Sequence, residues 1–160
     1  MILATHAIVG VALTRPFTSY AAAAAMGFVS HYVFDAIPHW HYYVPRIKRV
    51  VTATNYKPVS FLKPEFIPEL LLIISDLMGG FFVAGLFFRS SNITHILVAA
   101  FFAILPDLLV GLCRSMPHPV LIAHDKFHRF MHARHLLDDY PILGIGSQVL
   151  IVVGILFLFR

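Results

Sequence analysis

Histidine and aspartate side chains recur at spacings that could bring them together around a metal ion. His31 and Asp35 are four residues apart, so on a helix they share one face. Pro38 ends such a helix and turns the chain, which allows either His39 or His41 to fold back towards the pair. Imidazole and carboxylate groups suit Zn²⁺, Mn²⁺ or Fe²⁺. The pattern therefore predicts a divalent metal site on this segment.

A second group of histidines follows in residues 114–140. If this loop is helical from Val120 onwards, a step of about 100° per residue places four imidazoles within an arc of about 80°. They are His124, His128, His132 and His135. His128 and His132 form the best ligand pair. The alternative is an amphipathic interfacial helix whose basic residues contact anionic lipid.

Single polar residues in the apolar segments extend the candidate site. His6, Asp76 and Asp107 are predicted metal ligands. A carboxylate as deep in an apolar segment as Asp76 costs about 2.5–3.5 kcal/mol on insertion unless it is paired or metal-bound. The alternative for Asp76 is a structural partner on another helix, such as Ser147 or Gln148.

The composition places these polar residues in a membrane protein. Apolar residues make up 59% of the 160 and charged residues 12%, against about 25% charged in an ordinary soluble domain. The mean hydropathy is +0.80. A soluble globule of this size cannot bury so much apolar surface, and the single cysteine, Cys113, excludes a cysteine-rich metal site. We predict one integral membrane domain over residues 1–160.

Five apolar segments are separated by turns and two longer polar loops. They cover residues 2–14, 17–37, 66–88, 93–112 and 142–159. The third and fourth are long enough to cross a hydrocarbon core of about 30 Å, whereas the first is short and either crosses or re-enters. The predicted fold is all-α: a bundle of about four to five transmembrane helices with a histidine-rich interfacial helix.

The distribution of lysine and arginine orients this bundle. If all five segments cross, the loops at 39–64 and 114–140 carry nine of these residues and the opposite side carries three, Arg15, Arg89 and Arg160. The positive-inside rule then puts both loops in the cytoplasm. Nine of the ten histidines lie on that side. We attribute the net charge of +4 to basic residues in loops at the membrane edge, which orient the protein in the bilayer, and we expect no nucleic-acid partner.

Residues 30–41 are similar to a known ligand signature. His31, Asp35 and His41 match the H-x3-D-x5-H spacing of zinc-dependent phospholipase C and the related single-strand nucleases, all-helical enzymes in which histidine and aspartate hold a cluster of zinc ions. The whole layout also resembles the small bacterial membrane-bound metal-dependent hydrolases. The matching features are Thr5-His6, Leu105-Pro106-Asp107 and His128-Arg129.

The resemblance implies a membrane-embedded hydrolase with roughly two to three divalent ions, zinc first and manganese or iron as alternatives. A metal-activated water would attack a phosphoester of a lipid-like substrate at the bilayer surface. An uncoordinated Asp107 or Asp125 could act as base, and Arg129 or Lys126 could hold the phosphate. The alternatives are a non-enzymatic protein that binds or transports metal and one whose histidines sense pH. The sequence leaves the oligomeric state open.

Overall fold

A computed structural model describes residues 1–88, 92–133 and 137–159. Within these ranges the protein is all-helical, as predicted, with seven α-helices, one 3₁₀ turn (Pro64–Phe66) and no strand. The helices are α1 (Leu3–Thr14), α2 (Tyr20–Asp35), α3 (Pro45–Thr52), α4 (Ile67–Phe87), α5 (Ile93–Ser115), α6 (Pro119–Met131) and α7 (Pro141–Leu158). Four residues used in the sequence argument lie outside these ranges: Arg89, Arg134, His135 and Arg160.

Among the described residues, three helical segments are long and apolar enough to cross a membrane, which is consistent with an integral membrane protein. They are Pro64–Phe87, Ile93–Ser115 and Pro141–Leu158. Their outward faces carry large apolar side chains such as Phe82 and Phe157, which are 67% and 85% exposed. The predicted number of crossings is slightly higher because α1 and α2 have only 12 and 16 residues. Pro16 and Pro38 bound α2 and shorten it.

Helix α1 lies at the centre of the bundle, and ten of its twelve residues are buried. It packs against α2, α4 and α5 through small residues. A Cβ on Gly10 would lie 2.4 Å from the Cβ of Ala103, and one on Gly27 of α2 would lie 2.7 Å from the carbonyl oxygen of Ala99. Both approaches need glycine, and they bring the polar residues of α1 and α2 against α5.

Side chains from three other parts of the chain anchor the N-terminus of α1. The first backbone N–H groups of a helix have no partner within it. Here those of Ile2, Leu3 and Ala4 donate to Gln148 Oε1 (3.1 Å), Tyr42 Oη (2.9 Å) and Asp76 Oδ2 (2.8 Å), respectively. The hydroxyl of Tyr42 also donates to Asp76. Burial, together with this hydrogen bond, raises the pKa of Tyr42, so its hydroxyl remains a donor.

Two amphipathic helices pack at the end of the bundle where α2 and α5 end. Helix α6 contacts α5 and α2, and it is the predicted interfacial helix; it begins at Pro119 and ends at Met131. Helix α3 was not predicted. Its first N–H groups, those of Arg46 and Ile47, donate to the buried carboxylate of Glu69 at 3.1 and 2.8 Å, so an acid of α4 caps α3.

Candidate metal centre

Four donor side chains from three helices converge at the C-terminal end of α2. They are His31 and Asp35 of α2, Asp107 of α5 and His128 of α6, which we call the four-ligand group. His31 Nε2 lies 3.0 Å from His128 Nε2, 3.2 Å from Asp35 Oδ2 and 3.7 Å from Asp107 Oδ1. His128 Nε2 lies 3.5 Å from Asp35 Oδ2 and 3.3 Å from Asp107 Oδ1. Donors on a tetrahedral zinc are about 3.3–3.4 Å apart, so these distances suit one ion.

Three histidines form a second set of donors beside the first. His39 Nε2 lies 3.1 Å from His41 Nε2, which lies 3.3 Å from His132 Nε2; we call this set the three-histidine group. His132 was predicted on a helical stripe, but α6 ends one residue before it. The next N–H, that of Ala133, donates to the carbonyl of Asp35 at 2.8 Å. This bond holds the chain against α2 and directs His132 towards the loop histidines.

The hydrogen bonds of the ring Nδ1 atoms decide which nitrogen of each histidine is available as a ligand. Nδ1 faces a backbone carbonyl in three of them: His31 with Ala103 (2.8 Å), His39 with Ile37 (2.6 Å) and His132 with Ala133 (3.2 Å). Because a carbonyl can only accept, Nδ1 carries a proton, and in a neutral ring Nε2 then presents its lone pair. Nε2 lone pairs about 3 Å apart repel one another unless a proton or a metal ion lies between them.

A proline supports this arrangement on α5. Pro106 lies inside the helix and has no N–H to donate to the carbonyl of Phe102. In the same turn the carbonyl of Ala103 accepts the hydrogen bond from His31. Asp107 follows the proline, at the level of His31 and His128. The Pro-Asp pair therefore supplies both a ligand and a place to anchor the neighbouring ligand.

One carboxylate lies between the two groups. Asp35 Oδ1 is 3.0 Å from His6 Nε2 and 3.6 Å from His39 Nε2, while its Oδ2 is 3.7 Å from His132 Nε2. The Met1 ammonium group contacts the same Oδ1 and lies 2.7 Å from His39 Nε2. Asp35 is 2% exposed and is therefore a buried charge held by a ring of nitrogen atoms. His6, a predicted ligand, contacts this carboxylate but belongs to neither donor group.

The two groups differ in their protonation. Burial and the N-terminal ammonium group lower the pKa of His39 to about 3 and that of His41 to about 4, so both rings are neutral at neutral pH. Burial acts in the same direction on His128, but hydrogen bonds with Asp107 and Asp35 outweigh it and raise the pKa of His128 to about 9. The three-histidine group therefore offers neutral ligands at pH 7, whereas His128 must release a proton before it can bind a metal.

Two predicted catalytic residues lie in a separate cluster on another face of α6. Asp125 Oδ2 accepts hydrogen bonds from Arg114 Nη2 (3.0 Å), Arg129 Nε (2.9 Å) and Tyr56 Oη (2.9 Å). Both arginines also donate to backbone carbonyls of residues 51–53. We call this set the arginine clamp. It fastens the end of α3 to α5 and α6, and neither Asp125 nor Arg129 belongs to a donor group.

The other predicted residues also have defined places. Asp76 anchors α1 and lies outside both donor groups. His124 Nε2 and the Tyr32 hydroxyl share a hydrogen bond of 3.0 Å. Asp138, which sequence reasoning missed, contacts the His41 ring at 3.2 Å, although 97 residues separate the two. Its only sequence signal is its position, a few residues beyond the histidine stripe.

Comparisons with protein-family models, with curated proteins and with solved structures find no match for this chain. The described histidine and aspartate groups could hold a metal ion.

Proposed function

We propose that this protein is a membrane-embedded, metal-dependent hydrolase with a divalent ion in each donor group. The convergence of donor atoms in the four-ligand group is the observation that carries the proposal: five distances between 3.0 and 3.7 Å, close to a tetrahedral edge. Its two carboxylates also supply the charge that a divalent cation neutralises. Nitrogen and oxygen donors favour zinc, with manganese or iron as alternatives.

The two groups suit different tasks. Structural zinc sites have four protein ligands, whereas catalytic sites have three and leave one position open. The three-histidine group has this open arrangement and is the better candidate for the reaction. A bound ion would activate water and polarise a phosphoryl oxygen. The four-ligand group has a full set of protein ligands, and Asp107, at 32% exposed, is the one that solvent reaches most easily. We assign to this group an ion that assists the reaction without carrying the attacking water.

The position of the centre favours a lipid-like phosphoester substrate. The donor groups lie where α2 and α5 end and α6 crosses them, beside helices whose outer faces are apolar. A head group could reach the histidines there while acyl chains stay in the bilayer. A pocket beside His41 has aromatic walls from Trp40, Tyr42 and Tyr43. We place this end of the bundle in the cytoplasm, because the basic loops lie there.

Hydrolysis of phospholipids tests the function directly. Protein purified in detergent, loaded with zinc and mixed with phospholipid micelles should release a phosphate-containing product, and a chelator should stop the release. His41→Ala should lower the rate more than about 100-fold, which is a larger loss than expected for a residue that only hydrogen-bonds to a metal ligand.

The matched control removes a histidine outside both groups. His118 caps α6, and asparagine is a good substitute at a cap, so His118→Asn should keep full activity. Metal-loaded protein that hydrolyses no glycerophospholipid or phosphomonoester lipid would reject the hydrolase and leave a metal-binding protein.

A further inference from the structure

A side chain, rather than the backbone, holds His41 in place. Asp138 Oδ1 accepts hydrogen bonds from the backbone N–H of His41 at 2.9 Å and from its ring Nδ1 at 3.2 Å. Asp138 Oδ2 accepts a hydrogen bond from Lys48 Nζ at 2.7 Å. A single carboxylate therefore joins the turn before α7, the loop after α2 and helix α3.

This arrangement differs from that of the neighbouring ligands. The Nδ1 atoms of His31, His39 and His132 donate to backbone carbonyls, which carry no formal charge and cannot be altered by substitution. His41 donates to a carboxylate, which is a stronger acceptor. Such a carboxylate–histidine pair fixes the ring orientation and makes the opposite nitrogen, Nε2, a better metal ligand. His41 Nε2 is the atom that faces both His39 and His132.

Lys48 orients the carboxylate of Asp138 through a hydrogen bond. Lys48 holds the outer oxygen, so the inner oxygen stays directed at His41. The lysine is 49% exposed, so its own contribution is screened by solvent.

We propose that Asp138 is a positioning residue of the three-histidine group, which acts on the metal through His41. This inference rests on the proposed function and deepens it. The predicted consequence is specific to one site, because among the described residues no hydrogen bond or ion pair joins Asp138 to a member of the four-ligand group.

Metal affinity measured by chelator competition tests this inference without any need for substrate. Asp138→Ala should weaken zinc binding at one of two sites by about 10–100-fold and leave the other unchanged. Asp138→Asn keeps an acceptor oxygen but loses the charge, so it should show a smaller loss. Lys48→Met should have the smallest effect. Asp139→Asn is the matched control, since Asp139 is the neighbouring acid and is exposed; it should bind as the original protein does.

A spectroscopic measurement separates this role from a merely structural one. The visible absorption of Co²⁺ in the three-histidine group should change in Asp138→Asn while the thermal unfolding midpoint stays within a few degrees of the original. Two sites of unchanged affinity in both Asp138 variants would overturn this inference and leave the proposed function intact. An original protein that binds no metal would overturn both.

Discussion

Helix α6 carries two buried polar clusters on two of its faces, and they differ in one physical respect. On one face, His128 meets His31, Asp35 and Asp107, and the imidazole nitrogen atoms face one another. On the other, Asp125 belongs to the arginine clamp, where its Oδ2 receives three donors. Both clusters are dense and charged, and each contains a buried carboxylate, Asp35 or Asp125, so burial alone does not distinguish them.

The direction of lone pairs and protons distinguishes a binding site from a structural cluster. In the clamp, guanidinium and hydroxyl donors point at carboxylate and carbonyl acceptors, so each contact is already favourable. In the three-histidine group, Nε2 lone pairs of neutral rings face one another, so a bound cation would make those contacts favourable. In the four-ligand group, one proton on His128 faces several acceptors, and a divalent ion could take its place. Substitutions in the clamp should therefore change stability, and substitutions in the donor groups should change metal binding.

The largest expected effect on stability is in the clamp. Arg114 and Asp125 are each 1% exposed, and removing one partner of a buried ion pair leaves an uncompensated charge. Arg114→Met should lower the free energy of unfolding by about 3–5 kcal/mol, measured by denaturant titration in detergent. Its metal stoichiometry, measured where it is folded, should equal that of the original protein. A loss of metal in the folded variant would mean that the two clusters are not independent.

Metal removal should produce the next largest effect. A ligand present at about 100 times its Kd stabilises the folded state by about 2.7 kcal/mol per site. A chelator should therefore lower the unfolding midpoint of the original protein. Asp35→Asn changes a ligand of the four-ligand group and the carboxylate that lies 3.6 Å from His39 Nε2, so the chelator should lower its midpoint less than that of the original protein. Equal chelator effects on both proteins would contradict the assignment of Asp35.

The stability of the metal-free protein should depend on pH with a maximum near the ordinary histidine pKa of about 6.5. The lowered pKa values of His39 and His41, about 3 and about 4, mean that the unfolded chain binds more protons, so stability falls as pH drops below 6.5. The raised pKa of His128, about 9, means that its contribution is lost as pH rises from 6.5 through 9.

Two variants separate the sides of this pH profile. His39→Gln should flatten the acid side, and His128→Gln should flatten the alkaline side, both followed by thermal unfolding in metal-free buffer. Arginine keeps its charge throughout this range, so Arg129→Lys in the clamp should preserve the shape of the profile. A profile with no maximum near 6.5 would show that these protonation states are wrong.

The smallest expected effect is at Asp76. Asp76→Asn keeps an acceptor oxygen for the Ala4 N–H and the Tyr42 hydroxyl, so the free energy of unfolding should fall by only about 1 kcal/mol. Metal stoichiometry should not change, because Asp76 anchors α1 and belongs to neither donor group. Loss of an ion in this variant would return Asp76 to the ligand set and weaken the distinction between anchor and ligand.

Local patterns in the sequence predicted the helices well. The third, fourth and fifth segments match α4, α5 and α7 to within a few residues, and α6 is the predicted histidine-rich helix. Asn92 caps α5, with its Oδ1 accepting from the Thr94 N–H at 2.8 Å. Helix α3 was missed because eight residues are too short for a clear periodic signal. It depends instead on the cap from Glu69, a contact between distant parts of the chain.

The candidate ligands were predicted more easily than the residues that position them. His31 and Asp35 share a helix face, so spacing alone could pair them. The pairing of Asp125 with Arg114 spans two helices, and that of Asp138 with His41 spans most of the chain, so no local pattern reveals either. Asp76 could be recognised as an acid within an apolar segment, but its partners on α1 and at Tyr42 could only be seen once the chain was folded.

The metal content of the purified protein tests the central claim most directly. Protein prepared in detergent without chelators, dialysed against zinc and measured by elemental analysis, should contain about two ions per chain, one for each donor group. The double variant His31→Ala/Asp35→Ala should lose bound metal, and Asp139→Asn should retain it. An original protein with no stoichiometric metal would contradict the claim, and the facing histidines would then have to be held together by shared protons.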